Sequence, residues 1–439
     1  MEKKYLFDLP ARGVDVPHRK NTENCATGEL ISPNKVMLPL SQHIGKPAQV
    51  CVKKGDAVFV GTLVGKADGF VSANIHSSVS GTVLGLAELV STSGAPMTCV
   101  EIESDKKFTP DPSLQRPVVT DAKQLVEAVA QSGLVGLGGA GFPTHVKLAI
   151  PKNAHIDTLI INGAECEPYI TSDYREMLES TADIVEGVLL VKKLLGLERA
   201  VIAVEKNKPK AIEALKMCAK DTGIEIVALK CTYPQGAEKV LISSVAKRQV
   251  PAGKLPSDAG VLVLNVCTVS FINKYMKSGM PLVQKRVTVD GGAVTEGKNL
   301  LVPIGTRISE LVEACKGYSC EPKKLLMGGP MMGISLCTDD YPILKNNNAV
   351  IALSQQEVKL CDNNPCIRCG RCIKACPMRL SPAEIQLCYE LGDTKQQQEL
   401  GVMNCIECGS CTFVCPAMRS ITQTMRLSKA AVRKETAKK

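Results

Sequence analysis

Tryptophan is absent from this 439-residue sequence, and seven Phe and eight Tyr bring the aromatic share to only 3 %. That is too few rings to build stacking platforms for bases or sugars, so a nucleic-acid groove is not expected. Histidine is scarce too, with five residues. No apolar run approaches the roughly 18 residues needed to span a bilayer. The opening stretch Met1-Glu2-Lys3-Lys4-Tyr5-Leu6-Phe7-Asp8 has no apolar segment of signal-peptide length. Charge of one sign is not dominant: 53 basic less 44 acidic residues leaves +9, a modest excess that suits an acidic partner or a membrane surface before DNA. With 45 % hydrophobic and 22 % charged residues, the chain is neither disordered nor fibrous. Its length suits about three to four domains.

Cysteine is abundant instead, at twenty residues. Without a secretion signal these read as metal ligands or buried thiols rather than disulfides. Twelve are scattered, and free Cys is commonly buried as a small hydrophobe. Cys361 and Cys388 belong with these packing residues. The other eight form two runs, Cys366-x-x-Cys369-x-x-Cys372-x-x-x-Cys376-Pro377 and Cys405-x-x-Cys408-x-x-Cys411-x-x-x-Cys415-Pro416. This is the bacterial two-cluster ferredoxin spacing, in which three thiolates wrap one cube and the fourth is carried to the other. It assigns Cys366, Cys369, Cys372 and Cys415 to one 4Fe–4S cluster, and Cys376, Cys405, Cys408 and Cys411 to the second. The competing reading is a pair of zinc knuckles, but neither run contains His.

The texture of the chain divides it into an α/β multidomain protein. Residues 41–105 have short alternating apolar stretches with turn signals, such as two strands around Lys54-Gly55-Asp56. They predict a small β barrel-sandwich within residues 1–110. It looks like the biotinyl and lipoyl carriers but lacks their attachment lysine, so a docking or scaffolding role follows. From 111 to 280 short buried-type strands (158–162, 200–205, 225–230, 260–266) alternate with helical periodicity at 184–195, 208–220 and 236–247. That pattern predicts a mostly parallel sheet with helices on both faces, binding ligands beyond the strands' carboxyl ends. Residues 281–355 suggest a β-grasp-like module, 356–425 the helical two-cluster ferredoxin-like domain, and 426–439 a basic tail. From Met425 onward six Lys or Arg face one Glu, which suits a solvated helix end or a docking strip for anionic lipid or an acidic protein.

Gly136-Leu137-Gly138-Gly139-Ala140-Gly141-Phe142 carries a formal dinucleotide pattern, but the preceding Ala122–Gln131 reads as a helix, so the usual strand-loop-helix context fails. Lys147 follows within reach of a phosphate. Asn162-Gly163-Ala164-Glu165-Cys166-Glu167-Pro168 places polar groups at a strand's carboxyl end, where small residues admit a planar ligand; a solvated loop is the alternative for Glu165 and Glu167.

With Tyr233-Pro234-Gln235-Gly236-Ala237-Glu238 and Asn265-Val266-Cys267-Thr268 following in order, the chain resembles the flavin- and NADH-binding subunit of respiratory complex I. Leu38-Pro39-Leu40-Ser41-Gln42-His43-Ile44-Gly45, Val71-Ser72-Ala73-Asn74-Ile75-His76-Ser77 and the doubled cysteine run make it more similar to the C-subunit family of Rnf complexes, over nearly the whole chain. The resemblance implies a Rossmann-like FMN/NADH domain, non-covalent FMN, two 4Fe–4S clusters and NAD(H) as substrate. It implies a peripheral oxidoreductase component on the cytoplasmic face of a bacterial membrane, coupled to Na+ or H+ translocation. Its partners would be the iron–sulfur B-type component and the membrane components of the Rnf complex. By that similarity Gly136, Gly138, Lys147, Asn162, Glu165, Gly236 and Asn265 line the FMN, while Gly139, Phe142 and Glu167 face NADH; Gly141 completes the loop. Phe142 would stack on a ring of the dinucleotide, with core packing as its rival. Ala164 and Ala237 replace acidic residues of the complex I pattern, which puts flavin contacts there in doubt. A soluble cobalamin reductase of bacterial microcompartments shares the flavin loop and the cluster motif, and a non-catalytic electron-relay scaffold is the other alternative.

Overall fold

The computed structural model describes residues 12–91, 94–151, 154–359, 362 and 364–437. Cys361, the opening octapeptide and the last two lysines lie outside the described residues.

The barrel-sandwich forms from two antiparallel sheets. One runs in the order Lys35–Pro39, Pro96–Ser104, Gly81–Val90, Ala57–Val58; the other Gln49–Val50, Leu63–Lys66, Ile75–His76. Alternate side chains point inward, so Val36, Leu38, Val64, Ile75, Val83, Val100 and Ile102 are wholly buried between them. The two short strands expected around the Lys54–Asp56 turn are present, but they do not pair with each other. Gln49–Val50 joins one sheet and Ala57–Val58 the other, so the turn crosses the sandwich.

The central sheet has four strands, all parallel, in the order Ile224–Leu229, Arg199–Glu205, Thr158–Gly163, Val261–Asn265. Strand side chains alternate between two apolar layers. Leu159, Ile161, Ile202 and Leu264 face helices Thr181–Leu194, Pro209–Cys218 and Val266–Ser278. Ile160, Val201, Ala203 and Val263 face Leu241, Ile242 and Val245 of helix Glu238–Ala246. Covering both faces is what parallel strands with near-continuous apolar sequence require. Ala122–Gln131 is a helix, capped by Asp121, whose carboxylate accepts from Gln124 N at 2.8 Å.

The third sheet has six strands in the order Thr27–Leu30, Lys298–Pro303, Gln284–Asp290, Ala349–Leu353, Lys324–Met327, Ile334–Leu336, with helix Ile308–Ala314 against it. Its first strand comes from ahead of the barrel in the chain and pairs in parallel with Lys298–Pro303. At the junction of barrel, central domain and third sheet, Lys345 is 1 % exposed and its Nζ donates to the carbonyls of Asn74 and Gly133.

The cysteine domain is helical: Arg371–Ala375, Pro382–Glu390, Thr394–Glu399, Ser410–Phe413 and Ile421–Thr436. The basic tail is more than a solvated end. Helix Ile421–Thr436 buries Ile421, Met425, Ser428 and Val432 against Leu380, Ile385 and Val402, while Arg426 and Lys429 bond Glu407. Each aliphatic side chain buried in this way contributes about 1.5–3 kcal/mol. Among the described residues, no helix is long and apolar enough to cross a membrane.

Candidate functional site

The carboxyl ends of Thr158–Gly163 and Val261–Asn265 lie side by side, with Asn162 in register with Asn265. Asn265 caps helix Val266–Ser278: its Oδ1 accepts from Cys267 N at 2.9 Å, and its Nδ2 donates to Asp173 at 2.6 Å. Asn162 Nδ2 donates to Gly236 O at 2.8 Å, tying the loop after the edge strand to the centre of the sheet. The glycine loop lies over this end. Gly136 N donates to Phe142 O, closing the loop, and Leu137 N donates to Thr268 Oγ1 at 3.0 Å. A Cβ on Gly138 would come within 3.2 Å of the Asn265 side chain, which would have to yield by a few tenths of an ångström. Gly139 has φ +116° and open space where a Cβ would stand, and Gly141 has φ +67° beside Asn346. Asn346 Nδ2 holds Gly139 O at 2.7 Å, so the third sheet also braces the loop. Phe142 is half-buried.

Lys147, in the short helix Thr144–Leu148, bonds Glu238 at 2.7 Å. Glu238 begins helix Glu238–Ala246, and its position inside the Tyr233–Glu238 segment was the only sequence signal for it. The structure thus brings Gly136, Gly138, Asn162, Gly236 and Asn265 together, with Lys147 held to Glu238.

Glu165 and Glu167 are not solvated. The Glu165 side chain is 3 % exposed and accepts from Asp173 N at 2.6 Å and Tyr174 N at 3.3 Å, capping helix Ser172–Glu179. Burial raises its pKa, opposed by the nearby Lys20 ammonium. Lys20 Nζ donates to the carbonyls of Glu165, Glu167 and Ile170, and Lys208 Nζ donates to Ala164 O at 2.7 Å. These two buried lysines hold the loop in a shape that gives Glu165 a φ of +50°; nothing local in the sequence marked either one. Glu167 accepts from Met331 N at 3.0 Å and Met332 N at 2.8 Å. Burial pushes its carboxyl up to about 7, against the pull of those amides.

The eight cysteines sort themselves around two cavities. The inner is lined by Cys376, Cys405, Cys408 and Cys411, and the outer by Cys366, Cys369, Cys372 and Cys415. Each run therefore lends its fourth thiol to the other run's cavity. Around the inner one, Leu380 N and Glu407 N each lie 3.4 Å from the sulfurs of Cys376 and Cys405, and Thr422 Oγ1 lies 3.6 Å from that of Cys411. Burial pushes the Cys405 thiol up to about 11 and Cys411 up to about 12. Thiols so placed favour a cationic centre that offsets their ionisation, and the amide donors suit sulfur that carries charge. Four thiols lining one cavity with such donors are the ligand chemistry an iron–sulfur cube takes, although among the described residues no three His, Cys, Asp or Glu side chains are grouped to hold a single metal ion.

The inner cavity adjoins the central domain. Tyr233, 2 % exposed and joined to Pro234 by a cis peptide, donates its hydroxyl to Cys408 O at 2.7 Å. Val14, Val16, Tyr233, Ala375 and Cys408 form one apolar cluster, flanked by Cys166 of the loop that follows Thr158–Gly163.

Comparison with known proteins matches four families along the chain. Residues 10–107 match the RnfC barrel sandwich hybrid domain, 129–274 the Nuo51 FMN-binding domain, 286–335 the SLBB domain and 359–416 the 4Fe-4S dicluster domain. Among relatives, the chain is 42 % identical to the C-subunit of the Na(+)-translocating ferredoxin:NAD(+) oxidoreductase complex of Acetobacterium woodii, over 96 % of each chain. It is 43 % identical to the C-subunit of the proton-translocating ferredoxin:NAD(+) oxidoreductase complex of Clostridium ljungdahlii, over 84 % of this chain and 80 % of that one. A solved NAD+-reducing NiFe-hydrogenase shares the fold with a TM-score of 0.51 and 17 % identity, over 72 % of this chain and 62 % of that one.

Proposed function

Since this chain belongs to the C-subunit family of ion-translocating ferredoxin:NAD(+) oxidoreductase complexes, we propose that it is the NAD(H)-reacting electron-transfer component of such a complex. It holds FMN in the central domain and two 4Fe–4S clusters in the helical domain. When bound, these groups supply two-electron exchange with nicotinamide and one-electron exchange with iron; the protein positions them and tunes their potentials.

On this reading Gly136, Gly138, Asn162, Gly236 and Asn265 form the floor and walls of the flavin site. Lys147, once drawn from Glu238, offsets phosphate charge. Glu165 shapes the site through its hold on helix Ser172–Glu179. Gly139, Gly141 and Phe142 border the dinucleotide. Glu167 braces the loop against Met331 and Met332, and the packing of Met331 beside Cys408 supports a role for Glu167 towards the clusters. The six-stranded sheet with its single helix is a β-grasp module that steadies the glycine loop through Asn346. The chain sits peripherally against the membrane components of the complex, on the cytoplasmic face, and the iron–sulfur B-type component is among its partners.

The single observation that carries the reading is the partition of eight cysteines around two cavities, one of them bonded to the flavin-domain loop through Tyr233. The inner set adjoins the flavin domain through Tyr233, and the outer set opens to solvent at Cys366 and Cys369 although Cys372 is buried; this supports an order in which the inner cluster exchanges electrons with the flavin and the outer one with an external partner. The names of relatives at 42 % and 43 % identity favour this over a microcompartment cobalamin reductase. Anaerobic purification with flavin and iron quantified on one sample tests it. One FMN and about eight irons per chain, with NADH-dependent dye reduction, are expected; zinc in place of iron, or no flavin bound after FMN is added, refutes it.

A further inference from the structure

The barrel-sandwich domain has no part in the site as built so far, yet two of its loops reach the glycine loop. Ile44 N donates to Gly141 O at 3.1 Å. His145, just beyond the loop, bonds Phe70 O through Nε2 at 3.0 Å and meets the Phe70 ring edge-on, with centroids 6.0 Å apart. Both apolar side chains nevertheless face solvent, Ile44 being 52 % and Phe70 64 % exposed. Gly139 has nothing within 4 Å of where its Cβ would stand. The bare backbone at Gly139 thus lies two residues from Gly141, which Ile44 bonds, and the exposed Ile44 and Phe70 flank the stretch from Gly141 to His145. In the same corner Gln42 Nε2, His43 Nδ1 and His145 Nδ1 are buried without a hydrogen-bond partner.

Among the described residues Phe59, Phe70 and Phe413 are exposed, and Phe70, the most exposed of the three at 64 %, is the one whose ring meets His145 beside the glycine loop. Two side chains are far too little for a protein interface, which buries about 1,200–2,000 Å². They are enough for one planar ring. A dinucleotide carries two such rings: the nicotinamide must reach the flavin, and the adenine needs an apolar face some distance away. We propose that Phe70, supported by Ile44, is the platform on which the adenine ring of NAD(H) stacks, so that the barrel domain completes the dinucleotide site. This rests on the NAD(H) reading above.

The test uses the full chain loaded with FMN and both clusters, as wild type, Phe70→Ala and Phe70→Tyr. Dye reduction is compared with NADH and with reduced nicotinamide mononucleotide, which lacks adenosine. Loss of one base stack is expected to lower the NADH-to-mononucleotide ratio of kcat/KM about tenfold, through KM. Calorimetric titration with ADP-ribose should weaken about as much. Phe70→Tyr should restore both. An unchanged ratio and unchanged ADP-ribose affinity in Phe70→Ala would overturn the proposal. If Phe70→Ala loses FMN or iron, Ile44→Ser carries the same comparison, with a smaller fall expected and an unchanged ratio again fatal. A wild-type chain that holds FMN but oxidises neither donor defeats the NAD(H) reading itself, and this inference with it.

Discussion

The two cysteine cavities arise from one repeated motif and end in different surroundings. The inner has Cys376 at 9 % and Cys408 at 7 % exposure, amide donors near its sulfurs, and a tyrosine from another domain on the carbonyl of Cys408. The outer opens to solvent through Cys366 and Cys369, beside the exposed Ile367 and Leu387. The lesson is that ligand spacing determines what is bound, while the domain interface determines which site lies nearer the flavin. Cluster potential responds to hydrogen bonds and solvent exposure, so identical motifs need not behave identically.

The sharpest way to break this comparison is to remove one site at a time. Cys408→Ser and Cys369→Ser should each cost about four of about eight irons per chain. NADH should still reduce the inner cluster in Cys369→Ser, whereas its reduction of the outer cluster should be lost in Cys408→Ser. Electron paramagnetic resonance after NADH addition reads this, and the opposite pattern reverses the order. Next in size, Lys147→Ala should weaken FMN retention about tenfold or more, the worth of a charge-assisted hydrogen bond, with iron unchanged. Parallel loss of iron would mean that Lys147 supports the fold instead.

Acid separates the barrel junction from the cluster domain. Burial lowers His43 to about 4 and His76 to about 3, the Lys345 charge adding to both, although a backbone bond to Lys46 opposes the shift at His43. Unfolded, each takes a proton near the ordinary value of 6.5. Between that value and the depressed one the unfolded chain binds more protons, so stability falls as pH falls, by up to about 1.4 kcal/mol per pH unit for each group. The cluster domain contains no histidine. Hydrogen exchange at pH 7 and 5 should therefore show the junction loosening first; uniform loosening would contradict this. The smallest effect is the finest probe: Tyr233→Phe should shift the inner cluster's potential by roughly 20–60 mV, the one-electron equivalent of a hydrogen bond worth about 0.5–1.5 kcal/mol. The outer cluster should not move. Equal shifts in both would remove Tyr233 from any selective role.

Some parts of this protein were legible from local pattern. The spacing assigned Cys376 and Cys415 each to the other run's set, and the two cavities are lined in that arrangement. The four apolar strands announced a sheet covered on both faces, and a helix at Ala122–Gln131 already excluded the usual dinucleotide context. The short strands around Lys54–Asp56 were legible as strands but not as members of different sheets, because two residues of pairing leave no mark in sequence.

What the sequence by itself determined is composition-level chemistry: eight thiols in two-cluster spacing, a glycine-rich loop with bare backbone, and polar residues at strand ends. Only tertiary structure decided how these are used. Lys20 bonds carbonyls about 145–150 residues away, Lys147 meets Glu238, Glu167 caps amides of Met331 and Met332, and Phe70 arrives beside His145. The reason is physical. Spacing along a helix or loop constrains groups a few residues apart, whereas the partners of a buried charge or the neighbours of an exposed ring depend on how sheets and helices stack, and that is settled by burying the apolar layers of three domains together.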